Sequence, residues 1–183
     1  MTIFGFVFAH LGGPTHGLVD GVLHPLVGPD HLLAMLAVGI VAAATTSRPG
    51  SSFARADPWA APAAFLTGMA VGGALGLGGW SVPAVDLAIV VSVIALGVAV
   101  AGAIGNPAIW VPVLVLAGVA HGNAHGVEAP AAANPVLYVV GFLAATVALH
   151  VCGVVGGVTL RTRPLLRVTV GTCIATTGML LVV

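Results

Sequence analysis

Two histidines and a carboxylate lie within eight residues near the start of the sequence, in the segment His24-Pro25-Leu26-Val27-Gly28-Pro29-Asp30-His31. The chain around them is apolar and carries almost no charge. Ionisable groups are costly inside a membrane, so a cluster of them indicates a functional site that needs a partner. Imidazole and carboxylate groups suit Ni²⁺, Co²⁺, Zn²⁺ or Cu²⁺, whereas Ca²⁺ and Mg²⁺ sites use mainly oxygen ligands. This cluster is therefore predicted to bind a transition metal ion.

A second cluster has two histidines four residues apart and a glutamate three residues further on, in the segment His121-Gly122-Asn123-Ala124-His125-Gly126-Val127-Glu128. At about 100° per residue, these three side chains fall within a roughly 60° arc if one helix persists to Glu128. Gly122, Gly126 and Pro130 work against that persistence. Together the clusters predict one nitrogen-rich site of about four to six ligands, drawn from His24, Asp30, His31, His121, His125 and Glu128.

The composition is that of a polytopic membrane protein. Of the 183 residues, 59% are hydrophobic and 5% are charged, whereas about a quarter of the residues in soluble domains are charged. The net formal charge is zero and there is no lysine, which leaves no basic surface for nucleic acid. We therefore expect an all-α membrane bundle, surrounded by lipid, that forms a single domain over residues 1–183.

Breaks at glycine, proline and polar residues divide the chain into about seven spans. The N-terminal segment, 2–24, is interrupted by Gly12-Gly13-Pro14 and is predicted to be broken or re-entrant. Residues 1–9 lack the basic region of a signal peptide and are expected to stay in the mature protein. Pro25 and Pro29 bracket a predicted turn that separates His24 from Asp30. Six regular spans are predicted at 30–44, 59–79, 84–104, 108 to about 124, 136–159 and 165–183.

The arginines indicate an orientation. Alternating the spans from residue 30 onward places all five on one side, and they are Arg48, Arg55, Arg161, Arg163 and Arg167. Because cytoplasmic loops collect basic residues, that side is predicted to be cytoplasmic. By the same alternation, both histidine clusters lie together at the outer side.

Further residues are candidates for an ion pathway, namely His10, His16, Asp20 and Met35. His10 and His16 suit a gating or interfacial role as well as a ligand role. Met35 offers a soft sulfur, although methionine more often only packs. Asp20 is close to the first cluster.

Several other features have a structural interpretation. His150 lies within a span and outside both motifs, so we expect it to hydrogen-bond a backbone carbonyl. Cys152 and Cys173 lie in apolar segments and are expected to pack there without a disulfide. Small-residue faces, such as Gly68, Gly72 and Gly76, serve packing within the chain or in a homo-oligomer.

Both motifs resemble those of the HupE/UreJ family of nickel permeases, which accompany hydrogenases and ureases. The first likeness runs from His24 to Met35 and the second from His121 to Glu128, and span number and motif order agree over essentially the whole chain. The related nickel/cobalt permeases have four residues between the first histidine and the Asp-His pair, whereas this chain has five. The resemblance implies uptake of Ni²⁺, with Co²⁺ or Zn²⁺ as other candidate ions, across the bacterial inner membrane by a protein that is not an enzyme.

The resemblance also carries over specific residues. His24, Asp30 and His31 match the first motif of the family, and His121, His125 and Glu128 match the second. Members of the family often begin with a cleaved signal peptide, whereas residues 1–9 of this chain are expected to stay in the mature protein.

Other functions use the same residue types. In an integral-membrane zinc-dependent hydrolase, three histidines hold Zn²⁺ and a carboxylate activates water. An open water position beside a lipid-filled pocket favours that alternative, and a polar conduit toward the arginine side favours transport. A membrane-embedded assembly factor without metal is the third interpretation. Histidines that only tie helix ends together by hydrogen bonds remain the structural alternative.

Overall fold

The computed structural model describes residues 16–45, 59–102, 107–129 and 134–181, and these residues are helical with short connections. The described parts of the chain contain seven helices: α1 (His16–Val27), α2 (Pro29–Thr45), α3 (Ala60–Leu77), α4 (Val85–Ala101), α5 (Pro107–Val127), α6 (Pro135–Arg161) and α7 (Pro164–Leu180).

Local signals account for where several helices begin. Helix α2 begins at Pro29 with Asp30 in its first turn, where the missing proline N–H costs nothing and the helix dipole favours a carboxylate. Helix α6 begins at Pro135, and the Asn134 side chain accepts hydrogen bonds from two backbone N–H groups of the first turn. Helix α7 likewise begins at Pro164. The starts predicted near residues 30, 136 and 165 are confirmed to within one residue.

The bend between α1 and α2 lies at Gly28, where the two helices meet at 80°. Pro25 is buried inside α1, and the Gly28 N–H still donates to the carbonyl of His24 at 3.2 Å. The bend predicted between Pro25 and Pro29 is therefore confirmed, and its position is Gly28. Helix α1 nevertheless continues two residues past Pro25, and His24 lies in its last turn.

Helices α3 and α5 approach each other through glycines. Gly68, Gly72 and Gly76 lie buried on α3, and a Cβ added at Gly72 would lie 2.1 Å from a carbonyl oxygen of α5. In the opposite direction, a Cβ added at Gly122 would lie 2.1 Å from the carbonyl oxygen of Met69. These distances leave no room for a side chain, so backbone packs directly on backbone. The predicted small-residue face is confirmed, and its partner belongs to the same chain.

Helix α6 packs in the same way on α1 and α2. A Cβ added at Gly21 would lie 2.1 Å from the carbonyl oxygen of Tyr138, and one at Gly39 would lie 2.2 Å from that of His150. Gly153 of α6 approaches the backbone of α2 equally closely. The two motifs thus belong to different packed groups, the first to α1 and α2 on α6, and the second to α5 on α3.

The exterior of the bundle is apolar. Leu116, Val155 and Leu165 are 69%, 65% and 84% exposed. By length and composition, α3 and α6 can each cross a bilayer, and the bent pair α1–α2 would be a third span if it counts as one. Helices α4 and α7 are apolar but have 17 residues each, near the lower limit of about 17–25 residues for a span. The all-α membrane bundle predicted from composition is confirmed.

Cys152 and Cys173 lie exposed on α6 and α7. The expectation that they pack inside is wrong. A membrane helix is hydrophobic all round, so an apolar segment does not show which of its faces is inside. The buried residue is instead the one that follows each cysteine, namely Gly153 in α6 and Ile174 in α7.

Candidate metal centre

His24, His31 and His125 come together where α1 meets α2. Each offers one ring nitrogen, and these three nitrogens lie within 4.8 Å of one another. The ring centroids are 4.4 Å apart for His31 and His125, and 4.7 Å apart for His24 and His125. The three residues lie on α1, α2 and α5, so three helices must pack correctly for the group to form.

The free nitrogens of this group suit a metal ion. The Nε2 of His31 and both ring nitrogens of His125 are buried without a hydrogen-bond partner among the described residues, which is unusual for buried polar atoms. With metal–nitrogen distances of about 2.0–2.1 Å, neighbouring ligand nitrogens lie about 3.0–3.4 Å apart. A separation of up to 4.8 Å therefore closes on an ion through small side-chain rotations.

The carboxylates of the two motifs lie beside histidines. Glu128 Oε2 is 3.0 Å from His24 Nε2, and Asp30 Oδ1 is 3.0 Å from His31 Nδ1. Metal-binding histidines commonly donate their other N–H to a carboxylate, which orients the ring. The contact with Glu128 leaves Nδ1 of His24 available to an ion. His31 Nδ1 lies near Asp30 without hydrogen-bond geometry, so neither ring nitrogen of His31 has a hydrogen-bond partner among the described residues. Direct ligation by Asp30 and Glu128 stays a prediction.

Glu128 follows the last residue of α5 and lies outside the helix. Its hydrogen bond with His24 lowers the pKa of the Glu128 carboxyl, and this effect exceeds the opposing effect of partial burial. A carboxylate at the C-terminal end of a helix is disfavoured by the helix dipole. The contact with His24 offsets that effect and keeps a negative charge beside the histidines.

His121 lies one helical turn before His125 and has a different partner. Its Nε2 is 2.9 Å from Oγ of Ser92, and the Ser92 hydroxyl donates to the carbonyl of Ile89 at 2.7 Å. Because serine has one hydroxyl proton, Oγ accepts from the Nε2–H of His121. The Nδ1 of His121 therefore carries a lone pair, and it has no hydrogen-bond partner among the described residues. The His121 and His31 ring centroids are 4.9 Å apart, so this lone pair lies close to the histidine group.

Asn123, inside the second motif, holds the α3–α4 connection against α5. It is fully buried, and its amide donates to the carbonyls of Trp80 at 2.7 Å and Gly72 at 3.4 Å. Its Oδ1 accepts from the N–H of Val82 at 2.8 Å. Sequence analysis missed Asn123 and Ser92. Asn123 could have been noticed from the sequence, because it is two residues from each histidine and so lies about 200° around the helix from both. A single serine in an apolar helix gives no such indication.

The candidate pathway residues lie at different places. Met35 is buried on α2, and its sulfur lies 3.3 Å from Thr146 Oγ1, whose hydroxyl donates to the carbonyl of Phe142 at 2.8 Å. Asp20 is partly exposed on α1, one turn before His24. His16 is the first residue of α1, and His10 lies outside the described residues.

His150 differs from its prediction. It is 1% exposed on α6, its ring centroid is 5.5 Å from that of Phe65, and neither ring nitrogen has a hydrogen-bond partner among the described residues. The expected hydrogen bond to a backbone carbonyl is therefore wrong. Carbonyls inside a helix are already used by its own hydrogen bonds, and the Phe65 ring offers no comparable acceptor.

Comparison with known proteins agrees with the two motifs. The family described as HupE / UreJ protein matches residues 1–181. Protein HupE of Rhizobium leguminosarum bv. viciae is 38% identical over 147 residues, which cover 80% of this chain and 73% of that protein. No solved structure matches the chain. The family resemblance predicted from the motifs is confirmed, and the chain belongs to the HupE/UreJ family.

Proposed function

We propose that this protein carries Ni²⁺ inward across the bacterial cytoplasmic membrane, and that the ion enters through the centre formed by His24, His31 and His125. The observation that carries the proposal is the convergence of three buried or half-buried histidines from three helices, with ring nitrogens left unpartnered. A centre of this kind inside a membrane bundle has a donor set suited to transition metal ions.

The ion enters as a hydrated cation and exchanges water for imidazole. Asp30 and Glu128, each 3.0 Å from a histidine nitrogen of the centre, offset its double positive charge, which is unfavourable in a low-dielectric interior. Transport also requires release, so the centre must bind loosely.

His121 provides the next position along the path. Its free Nδ1 lies one turn from His125 toward the far end of α5. The histidines thus form a short series that begins with the half-buried His24 and continues through His125 to His121, both of which are fully buried.

We further propose that the histidine end of the bundle faces the outside and that the arginine end faces the cytoplasm. The described arginines lie at the end of α6 and the start of α7, in the segment that contains Arg161, Arg163 and Arg167. Tyr138, near the start of α6, has its ring centroid 6.1 Å from that of His24. Helix α6 has 27 residues and spans about 40 Å, so the two groups lie at opposite ends.

Membership of the HupE/UreJ family favours transport over the zinc-dependent hydrolase, and we propose no catalytic activity. Imidazole ligands bind Ni²⁺, Co²⁺ and Zn²⁺, and the resemblance of the motifs to those of nickel permeases supports the choice of Ni²⁺. An assembly factor without metal is distinguished from this proposal by measured ion binding.

Uptake of radioactive nickel into proteoliposomes tests the proposal. Wild-type protein is expected to accumulate nickel, and His31→Ala is expected to reduce the initial rate by at least about tenfold, as expected for loss of a ligand. Thr176→Ala, on the exposed face of α7, is the matched control and retains the wild-type rate. Equal uptake by wild type and His31→Ala would refute the proposal, and competition by Co²⁺ and Zn²⁺ measures selectivity.

A further inference from the structure

Below the histidine centre, α2 and α6 enclose a second group of buried polar side chains that the proposed function has not used. It consists of Met35, Thr146 and His150, and we refer to it as the inner group. All three residues are at most 1% exposed. The inner group combines an imidazole, a hydroxyl and a thioether in an otherwise apolar interface.

The packing of α2 on α6 brings the inner group together. Thr146 Oγ1 lies 3.3 Å from Met35 Sδ. One turn further along both helices, a Cβ added at Gly39 would lie 2.2 Å from the carbonyl oxygen of His150. The two helices therefore run parallel with Met35 beside Thr146 and Gly39 beside His150. Residues four apart on a helix share a face, so His150 and Thr146 lie one turn apart on the same face of α6.

The inner group continues the series of histidines toward the arginine end. On α6, the His125 ring stacks on Phe142 at 4.9 Å, and His150 follows Phe142 by eight residues, about 12 Å along the helix. On α5, His121 lies about 6 Å from His125 along the helix axis. The Phe65 ring centroid is 5.5 Å from that of His121 and also 5.5 Å from that of His150. His121 and His150 therefore flank one aromatic ring at successive depths.

A purely structural role does not account for His150. A histidine kept for its polarity makes hydrogen bonds when buried, yet neither ring nitrogen of His150 has a partner among the described residues. If this position only required a side chain of suitable size, leucine or phenylalanine would be more favourable than histidine, because the polar imidazole ring must be desolvated on burial. An unpartnered buried imidazole is instead a donor for a transition metal ion, and the Met35 thioether, one turn away on the facing helix, is a second donor of the same preference.

We propose that His150 is a second coordination position for the transported ion, with Met35 Sδ and Thr146 Oγ1 as neighbouring donors. This inference rests on the proposed function and adds a metal-binding position that lies outside the two sequence motifs. The ion leaves the outer histidines, passes His121 and is held briefly by His150 before it moves toward the arginine end. Nitrogen and sulfur donors also discriminate against Mg²⁺ and Ca²⁺, which prefer oxygen.

Two substitutions separate coordination from polarity and from packing. His150→Gln keeps hydrogen-bonding capacity, and His150→Leu keeps an apolar side chain of similar size, but neither has an imidazole. Both are expected to reduce nickel uptake into proteoliposomes by at least about tenfold, as for loss of a metal-binding partner. Nickel affinity of the outer centre, measured on purified protein, is expected to stay within about twofold of wild type, because sites without shared partners act independently. Cys152→Ser, exposed on the same helix, is the control for substitution of α6.

The outcomes are separable. If folded His150→Gln took up nickel at the wild-type rate, His150 would have only a polar role. If His150→Leu did so, His150 would have only a packing role. Either result overturns the inference while the proposed function stands. A parallel loss of outer-centre affinity would also overturn it, because His150 would then act through the outer histidines. If wild-type protein took up no nickel, the proposed function would fail and this inference with it.

Discussion

The Nε2 of His24 lies 3.0 Å from Oε2 of Glu128 and joins the last turn of α1 to the residue after α5. This contact crosses between the two sequence motifs. It orients one imidazole of the candidate centre and places a negative charge beside it. The predictions below begin from this pair.

Glu128→Gln is expected to lower nickel affinity by about 10- to 100-fold, the usual effect of removing a carboxylate that orients a metal-binding histidine. The amide keeps the size of the side chain but loses its charge. Isothermal titration calorimetry on purified protein measures the change. Asp86→Asn is the control, because Asp86 is an exposed carboxylate in the first turn of α4. Similar losses from both variants would contradict a specific role for Glu128.

His125→Ala is expected to weaken nickel binding by at least about 100-fold, more than the loss of an orienting carboxylate. Both ring nitrogens of His125 are buried without a hydrogen-bond partner among the described residues, and its ring centroid lies 4.7 Å from that of His24 and 4.4 Å from that of His31. Equilibrium dialysis with nickel measures the affinity, and retention of the thermal unfolding midpoint shows that the bundle is intact. Unchanged affinity would remove His125 from the centre.

Nickel affinity is expected to fall as the pH decreases from about 7.5 to 5.5, because histidine binds metal only when neutral. The hydrogen bond with His24 lowers the pKa of Glu128, so its carboxylate stays charged over this range and does not cause the loss. For folding, a lowered carboxyl pKa stabilises the protein at pH values above the ordinary 4.5, and this stabilisation disappears as the pH falls through the lower folded value. Titrations at several pH values test the prediction, and a constant affinity would contradict it.

Gly122→Ala is expected to destabilise the bundle by about 1–3 kcal/mol through overpacking. Its new Cβ would lie 2.1 Å from the carbonyl oxygen of Met69, whereas a Cβ at Gly156 would meet nothing within 4 Å. Gly156→Ala is therefore the matched control, and its effect is expected to be neutral or stabilising, since alanine favours helix by up to about 1 kcal/mol. Thermal unfolding in detergent compares the two variants. Equal midpoints would show that α3 and α5 do not pack this closely.

Labelling with a membrane-impermeant maleimide in intact cells tests the orientation. In a background of Cys152→Ser and Cys173→Ser, Ser81→Cys is expected to react, and Arg163→Cys is expected to react only after lysis. Both positions are exposed, the first in the α3–α4 connection near the histidine end and the second between α6 and α7. The reverse pattern would invert the proposed orientation.

Local sequence signals predicted much of the fold. Pro29 and Asp30 marked the start of α2 because a proline and a carboxylate both suit the first turn of a helix. The spacing of Gly68, Gly72 and Gly76 indicated a packing face, although it did not identify α5 as the partner. Pro25, Gly28 and Pro29 indicated a bend between His24 and Asp30, and it lies at Gly28, but they did not show that α1 continues through Pro25.

The candidate centre was predicted as a set of residues but not as an arrangement. Sequence spacing placed both motifs at one end of the bundle, yet it could not show that Asp30 and Glu128 contact histidine rings. The Glu128–His24 contact depends on side-chain orientation across helices that are far apart in sequence, and the Asp30–His31 contact depends on the side-chain conformations of adjacent residues. For the same reason, the partners of His121 and His150 could not be predicted, since Ser92 and Phe65 belong to helices without a motif.

The close glycine contacts define two tightly packed groups of helices, referred to here as halves, and the candidate centre lies between them. One half carries His24 and His31 on helices packed against α6, and the other carries His125 on a helix packed against α3. Backbone that touches backbone has little freedom to slide, so movement is easier between the halves than within them. Such movement changes the separation of the three imidazoles directly. If the centre binds an ion as proposed, its affinity depends on the relative position of the two halves.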